Sequence, residues 1–325
     1  MIETTTPVFI FSLPRSGSTL LQRLLMTSND ISSISEPWLL LSLFYINKNN
    51  GVISEYSHLG SFEALQDFIE NLPGKEKAYH DELRKFVVSL YNMHCKEGEK
   101  YFLDKTPRYY LIIPEILKTF PNAKFIFLFR NPIHILSSII QTWGSGTLKS
   151  VYRYNIDVKY GPGLLSEGLT LTEGNAISLK YEDLVTDPEI ELKKICEYLN
   201  VDFDLEMLNN FALQKTNGKF GDPTGIIDYK MIEQDSLIKW KRIINTKAKV
   251  KYLETNIRKL DSNVFEISGY CKETILNELK QHNKGLPFGL KDYSQLIFGR
   301  LILKFKLNII FGKKINTWQK DKLLS

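Results

Sequence analysis

The chain has 325 residues, 43% of them hydrophobic and 24% charged, which excludes a disordered or fibrous protein and indicates a globular one. Its net charge of +5 is concentrated in residues 285–325, which hold eight Lys/Arg and two Asp/Glu. The rest of the chain is close to neutral, so we expect no nucleic-acid-binding surface. The three cysteines, Cys95, Cys196 and Cys271, have neither the number nor the spacing of a disulfide framework or a zinc site.

No targeting or membrane-spanning segment is expected from the sequence. The opening residues MIETTTPVFIF lack the basic and long apolar regions of a signal peptide. No apolar run reaches the roughly 18 residues that a spanning helix needs. We therefore expect a cytoplasmic protein.

Short apolar runs alternate with helical patterns along the chain. The runs at 8–13, 101–104, 124–129 and 176–179 predict buried strands, and the patterns at 19–26, 114–120, 132–142 and 188–199 predict helices. Alternation of this kind indicates a central parallel sheet flanked by helices, an α/β fold. Strands that are apolar throughout indicate burial on both faces.

The domain organisation is predicted from the same patterns. Residues 1–284 are expected to form one domain, with a helical insertion at 31–98. Residues 285–325 are expected to form a basic helical tail. The tail either touches a membrane surface or anionic polymer, or docks on the body or on a second subunit.

The first predicted strand is followed by PRSGST, at positions 14–19. A helix that begins here presents free backbone N–H groups and the positive end of its dipole. Gly17 permits close approach of the backbone, Arg15 adds a guanidinium, and Ser16, Ser18 and Thr19 add hydroxyl donors. These five residues predict a phosphate or sulfonate site, rather than a plain capped turn.

This loop is not a Walker A motif. Ser12 and Ser18 stand where that motif has its first glycine and its lysine. The strand at 124–129 ends in Arg130, not in the aspartate that holds Mg²⁺ in many nucleotide hydrolases. No metal is therefore expected. A Mg²⁺-dependent small-molecule kinase with an atypical phosphate loop and a nucleotide-binding protein without catalysis remain as alternatives.

Two motifs resemble those of the sulfotransferases that use 3′-phosphoadenosine 5′-phosphosulfate (PAPS). PRSGSTLL resembles their 5′-phosphosulfate loop. FIFLFRNPIHILSSI resembles their 3′-phosphate motif, an arginine after a strand and a serine eight residues later, here Arg130 and Ser138. The resemblance covers about residues 8–199 and implies the P-loop NTPase-like sulfotransferase fold. It is closer to the tyrosylprotein, carbohydrate and bacterial branches than to the cytosolic small-molecule branch.

The resemblance also implies which residues bind the nucleotide. Arg130 and Ser138 are expected to hold the 3′-phosphate, with an ion pair and a helix packing position as their alternatives. Tyr181 in KYEDL is expected to contact the nucleotide, with a half-buried core tyrosine as the alternative. KFGDPTG resembles a loop that closes over the nucleotide, and it suggests contacts from Lys219 and Gly221, although it lacks the usual basic pattern.

Catalytic residues follow in the same way. Arg15 in the loop and Lys105 in DKTP are expected to neutralise charge during transfer. Pro107 stands where the cytosolic branch has its histidine base. The other branches use a glutamate beyond the loop, and Glu36 in ISEPW lies 36 − 15 = 21 positions after Arg15. Glu36 is therefore the expected base, in preference to His134, which we expect to face the nucleotide or the core.

The predicted activity is sulfonyl transfer from PAPS to a hydroxyl group by in-line displacement. The expected acceptor is a glycan, with a peptide tyrosine or a small metabolite as alternatives. The oligomeric state is not predicted.

Overall fold

The computed structural model describes residues 5–214, 221 and 231–305. Its centre is a parallel five-stranded sheet with the strand order β2-β3-β1-β4-β5. The strands are β1 (Thr6–Ser12), β2 (Ile31–Ser33), β3 (Tyr101–Asp104), β4 (Lys124–Phe129) and β5 (Ile177–Lys180). The predicted α/β class with a central parallel sheet flanked by helices is confirmed.

Helices surround the sheet, and the first eleven precede the gap in the described residues. They are α1 (Ser18–Leu25), α2 (Leu39–Tyr45), α3 (His58–Glu70), α4 (Lys75–Asn92), α5 (Ile113–Thr119), α6 (Pro132–Trp143), α7 (Asn155–Lys159), α8 (Gly161–Leu171), α9 (Tyr181–Thr186), α10 (Pro188–Leu199) and α11 (Glu206–Asn209). Six more follow: α12 (Asp235–Ile238), α13 (Trp240–Ile243), α14 (Lys247–Lys259), α15 (Ser262–Ile267), α16 (Lys272–His282) and α17 (Leu290–Lys304). Short 3₁₀ helices span Pro107–Leu111, Val151–Tyr154 and Phe211–Leu213.

The sheet is buried on both faces, as its apolar strands predict. Alternate residues of β1 enter different cores, because successive side chains of a strand point to opposite faces. Phe9 and Phe11 pack with Phe125 in an aromatic cluster, with ring centroids 6.0–6.2 Å apart. Val8 and Ile10 join the aliphatic core on the other face. The central strand is therefore a rigid base for the loop that follows it.

Two segments differ in detail from what the sequence predicts. The segment 31–98 contains the predicted helices, α2 to α4, but it begins with the edge strand β2. This strand has three residues, of which only Ile31 is fully buried, so it carries no periodic signal. The strand predicted at 176–179 is shifted by one residue, since β5 spans Ile177–Lys180 and Tyr181 begins α9.

The C-terminal described segment packs on the body. The backbone N–H of Lys247, in α14, donates to the carbonyl of Pro287 at 2.9 Å. Asp292 in α17 accepts a hydrogen bond from the Thr246 hydroxyl at 2.8 Å. The described helices include none with the length and apolar character needed to cross a bilayer. The boundary of the tail at residue 285 stays a prediction.

Candidate active site

The predicted site residues lie at the carboxyl ends of five different strands. Arg15 follows β1, Glu36 follows β2, Lys105 follows β3, Arg130 follows β4, and Tyr181 follows β5. All the strands are parallel, so their carboxyl ends meet at one edge of the sheet. This is the edge at which open α/β sheets bind ligands. Residues that are up to 166 positions apart, since 181 − 15 = 166, therefore contribute to one region.

The loop before α1 has a backbone that its sequence explains. Gly17 has a φ of +90°, a conformation that favours glycine. A Cβ atom at this position would lie 2.2 Å from the ring of Tyr181, so no larger residue fits. Ser18 and Thr19 then form the first turn of α1. Their backbone N–H groups have no partner in the preceding turn of helix, as an anion-binding loop requires.

Arg15 connects the two halves of the predicted nucleotide site. Its Nε donates to Ser138 Oγ at 3.0 Å, and its backbone carbonyl accepts a hydrogen bond from Arg130 at 2.8 Å. The guanidinium of Arg130 stacks on the Tyr181 ring, 4.0 Å from the centroid. Arg130 and Ser138 thus lie on either side of Arg15. Tyr181 is a buried tyrosine whose ring lies against Gly17 of the loop and under the Arg130 guanidinium.

Three buried polar atoms around one cavity have no hydrogen-bond partner among the described residues. They are Ser16 Oγ, Arg130 Nε and Ser166 Oγ. The cavity is small, about 40 Å³, and mainly apolar, and it lies beside α6 and α8. Buried polar groups are normally paired, and unpaired ones are frequent where a ligand binds.

Glu36 and Lys105 form a nearly buried ion pair beside the loop. Lys105 Nζ lies 2.8 Å from Glu36 Oε1 and 3.3 Å from Thr19 Oγ1. Trp38 Nε1 donates to Glu36 Oε2 at 3.3 Å. The lysine side chain is 1% exposed and the glutamate side chain 12% exposed. The pair forms because β2 and β3 are adjacent, with Ser33 in register with Leu103, so the residues that follow both strands meet.

His134 belongs to a different cluster. Its Nδ1 lies 2.8 Å from Glu182 Oε1, which also accepts the backbone N–H of Asn131 at 3.0 Å. Tyr270 donates its hydroxyl to Glu182 Oε2 at 2.5 Å. Burial alone would raise the pKa of Glu182, but these hydrogen bonds and the His134 charge outweigh it and lower the pKa.

The Glu182 cluster joins the two turns that carry Arg130 and Tyr181. Asn131 directly follows Arg130, and Glu182 directly follows Tyr181. The hydrogen bond between Asn131 and Glu182 therefore holds the turns that carry Arg130 and Tyr181 next to each other. His134 is buried there and does not line the cleft described next.

A cleft of about 260 Å³ opens above the loop and the ion pair. Its walls include Arg15, Glu36 and Gly221, together with three aromatic residues. The rings of Trp143 and Tyr154 stack with centroids 4.1 Å apart, and Trp38 lines the cleft as well. Its lining residues are Pro14, Arg15, Gly17, Ser18, Thr19, Glu36, Trp38, Pro107, Arg108, Trp143, Tyr154 and Gly221. Lys219 lies outside the described residues.

Arg108 is a cleft residue that the sequence analysis missed. Its Nε and one terminal nitrogen donate to the two carboxylate oxygens of buried Asp157, at 3.1 and 2.9 Å. The Tyr110 hydroxyl also donates to Asp157, at 2.7 Å. The guanidinium lies 5.9 Å from the Trp38 ring centroid. Its position directly after DKTP, at the ligand edge of the sheet, was the available signal.

Asp104, the last residue of β3, directly precedes Lys105 of the ion pair. It is fully buried and accepts hydroxyl hydrogen bonds from Tyr91 at 2.6 Å, Tyr109 at 2.9 Å and Thr106 at 3.3 Å. Burial raises the pKa of Asp104 to about 6, although these hydroxyl groups and the neighbouring Lys105 charge oppose the rise.

The Asp104 carboxyl is expected to make the stability of the protein depend on pH. Its folded pKa of about 6 exceeds the ordinary value of 3.8, so the folded state holds more protons between these limits. Stability should therefore fall as the pH rises through this window, by about 3 kcal/mol from this group. In the Asp104→Asn variant we expect this fall to be absent. Urea unfolding at a series of pH values measures it.

The control for this prediction is Asp67→Asn, which changes an exposed aspartate of α3. As the pH rises from 4 to 7, the unfolding free energy of Asp104→Asn should increase relative to that of the unmodified protein. For Asp67→Asn the difference should stay constant. Parallel curves for Asp104→Asn would show that burial does not raise the pKa of Asp104.

Comparisons with known proteins point to one family. The model of the Sulfotransferase family matches residues 7–205. Nodulation protein NoeE of Sinorhizobium fredii is 31% identical over 137 residues, which are 42% of this chain and 31% of NoeE. The chain thus matches less than a third of that relative. A putative protein-tyrosine sulfotransferase of Caenorhabditis briggsae is 23% identical over 267 residues, 78% of this chain and 84% of the relative.

Solved structures share the fold. The sulfotransferase domain from the curacin biosynthetic pathway superposes with a TM-score of 0.51 at 21% sequence identity. The match covers 82% of this chain and 96% of that domain. At this identity the likeness concerns the arrangement of the strands and helices, whereas residue roles must be argued from the geometry of this chain.

Proposed function

We propose that this chain transfers the sulfonyl group of PAPS to a carbohydrate hydroxyl, which Glu36 deprotonates. The chain belongs to the sulfotransferase family and is a PAPS-dependent enzyme. The observation that carries the proposal is the contact of Lys105 Nζ with both Glu36 and Thr19, at 2.8 and 3.3 Å. A carboxylate that lines the cleft and a buried cation thus lie next to the loop that we propose to bind the anion. Sulfonyl transfer needs these three elements together.

The donor is proposed to bind across the loop and the β4 turn. PAPS supplies the sulfonyl group, and its 5′-phosphate is the leaving group, because the bond between the sulfur and that phosphate oxygen breaks on transfer. The residues proposed to hold it are Arg15, Ser16, Gly17, Ser18, Thr19, Arg130, Ser138, Tyr181, Lys219 and Gly221. Ser16 Oγ and Arg130 Nε have no hydrogen-bond partner among the described residues. This supports an anion-binding site beside them, since each would gain a charge-assisted hydrogen bond.

The loop and the two cations are proposed to stabilise the charge that develops during transfer. Thr19 belongs to the first turn of α1, where the helix dipole favours negative charge. Lys105 is buried, so its ammonium acts through a medium that screens charge weakly. Arg15 is held in place by Ser138, which limits the reorganisation needed on reaction.

Glu36 is proposed as the general base. Its Oε1 lies 2.8 Å from Lys105 Nζ, and a carboxylate oxygen can accept a proton. Oε1 is engaged by Lys105, so the acceptor proton is expected to pass to Oε2, whose hydrogen bond from Trp38 is long at 3.3 Å. As the acceptor oxygen bonds to sulfur, the bond from sulfur to the leaving phosphate oxygen breaks, and the proton stays on Glu36.

The walls of the cleft support a sugar acceptor. Trp38, Trp143 and Tyr154 offer flat apolar surfaces that can pack on a sugar ring, while Arg108 adds a polar group at the edge. The buried Asp157 carboxylate pairs with the Arg108 charge, so the wall does not select strongly for an anionic acceptor. A peptide tyrosine is the second candidate, because the Caenorhabditis briggsae relative is named a putative protein-tyrosine sulfotransferase.

The donor site is tested by calorimetric titration with 3′-phosphoadenosine 5′-phosphate (PAP) and with ADP, both without Mg²⁺. We expect the bisphosphate to bind tightly and ADP weakly. Arg130→Ala should weaken PAP binding by about 10- to 100-fold, the loss expected for one or two charge-assisted hydrogen bonds. Its effect on ADP should be small. Equal or Mg²⁺-dependent ADP binding would contradict the proposed donor site and favour the kinase alternative.

The control for Arg130→Ala is Arg258→Ala, which removes an exposed arginine of α14 paired with Glu254. It should leave PAP binding unchanged. The acceptor class is tested separately by radiolabelled sulfonyl transfer to oligosaccharides and to tyrosine peptides, with Trp143→Ala as the cleft variant. Transfer to peptides alone would contradict the sugar acceptor but leave the donor site intact.

A further inference from the structure

Helix α17 carries an apolar surface, on the side turned away from the body, that none of the described residues covers. Its buried residues are Asp292, Leu296, Gly299 and Ile302. The exposed apolar residues recur at helical spacing, and each is at least 45% exposed: Leu290, Ile297, Phe298, Leu301 and the adjoining Phe305. Together with the basic residues Lys291, Arg300 and Lys304, they are called the α17 outer face. Contiguous apolar surface of this kind marks an interaction site.

Basic residues border this apolar stripe. On a helical projection with 3.6 residues per turn, Lys291 lies along one edge, while Lys304 lies along the other, with Arg300 beyond it. All three are exposed. The one acidic residue of α17, Asp292, is buried and bound to Thr246. The α17 outer face is therefore mainly apolar in the middle, where Ser294 is the exposed polar residue, and its charged residues are all basic.

We propose that the α17 outer face binds the surface of an anionic membrane. A helix with an apolar stripe between lysine and arginine residues lies in the plane of a lipid interface, where the apolar side chains enter the acyl boundary and the cations meet lipid phosphates. Residues 306–325 follow directly and continue the same charge in sequence, with five lysines and one aspartate. A second copy of the chain fits less well, since self-pairing would bring basic edges together.

The inner side of α17 packs on the segment that forms one wall of the cleft. A Cβ atom on Gly299 would lie 3.4 Å from Tyr152, and Gln295 Oε1 accepts the backbone N–H of Leu148 at 3.0 Å. Tyr152 belongs to the 3₁₀ helix Val151–Tyr154, whose last residue lines the cleft. Binding of α17 to a membrane would therefore bring one wall of the cleft close to the lipid surface. The membrane proposal itself does not depend on the proposed reaction.

The test is vesicle flotation of the full chain. Vesicles of phosphatidylcholine alone are compared with vesicles of phosphatidylcholine and phosphatidylglycerol. We expect binding to the anionic vesicles and little to the neutral ones. Phe298→Ser/Leu301→Ser should reduce the bound fraction at least about tenfold through lost apolar burial. Lys291→Glu/Lys304→Glu should reduce it by about fivefold for each lysine removed.

A matched control changes an exposed leucine and an exposed phenylalanine of α3, in Leu59→Ser/Phe68→Ser. It should bind as the unmodified chain does, and circular dichroism confirms that all variants are folded. Failure of the unmodified chain to bind anionic vesicles would overturn the proposal. So would unchanged binding of Phe298→Ser/Leu301→Ser, or a dimer in solution that the same variant dissociates.

Discussion

Glu36→Gln is expected to lower kcat by about 10²- to 10⁴-fold, the usual contribution of general acid–base catalysis. Glutamine keeps the shape of the side chain and an oxygen that can accept the Lys105 hydrogen bond, but its amide cannot take up a proton. The position of Lys105 beside Thr19 should therefore survive. Steady-state kinetics with PAPS and an acceptor, together with PAP titration, measure the two effects separately.

The expected pattern for Glu36→Gln is lost turnover with an unchanged Kd for PAP. The control is Glu63→Gln, an exposed glutamate of α3, for which neither value should change. Turnover within a few-fold of the unmodified enzyme would mean that Glu36 is not the base. Loss of PAP affinity together with turnover would mean that Glu36 organises the loop instead, and it would leave the base unidentified.

Much of the framework could be predicted because its signals are local. After Lys124 the β4 strand is an unbroken apolar run, and the PRSGST loop lies between a strand and an amphipathic helix. Each pattern can be recognised within about ten residues. The common location of the residues that follow the four predicted strands is then explained by the parallel topology, which brings the carboxyl ends of these strands to one edge.

The residues that escaped prediction depend on contacts between distant segments. Strand β2 forms because the backbone of β3 is available to pair with it, not because three residues favour a strand. Arg108 acquires its place in the cleft from Asp157, 49 positions later. Glu182 is tied to the β4 turn through Asn131, 51 positions earlier. The partners in each of these pairs are at least 49 positions apart in the sequence. A local sequence pattern therefore does not show that they meet, and only the folded structure does.

Lys105→Met is expected to reduce kcat by about 10²- to 10³-fold, the cost of removing one preorganised group that stabilises developing charge. Methionine fills most of the volume of the buried lysine side chain but removes its ammonium. Lys105→Arg should not restore activity, since the planar guanidinium cannot replace a compact ammonium in a site that is 1% exposed. Single-turnover kinetics with saturating PAPS measure the chemical step directly.

The decisive comparison combines the two variants. Lys105 and Glu36 are in direct contact, so their effects on turnover should not be independent. If both act in the same transfer step, the double variant Glu36→Gln/Lys105→Met should lose far less than the product of the two single losses. Fully multiplicative losses would show that the two groups contribute independently of each other. The ion pair would then be a feature of the resting site, without a role in the reaction.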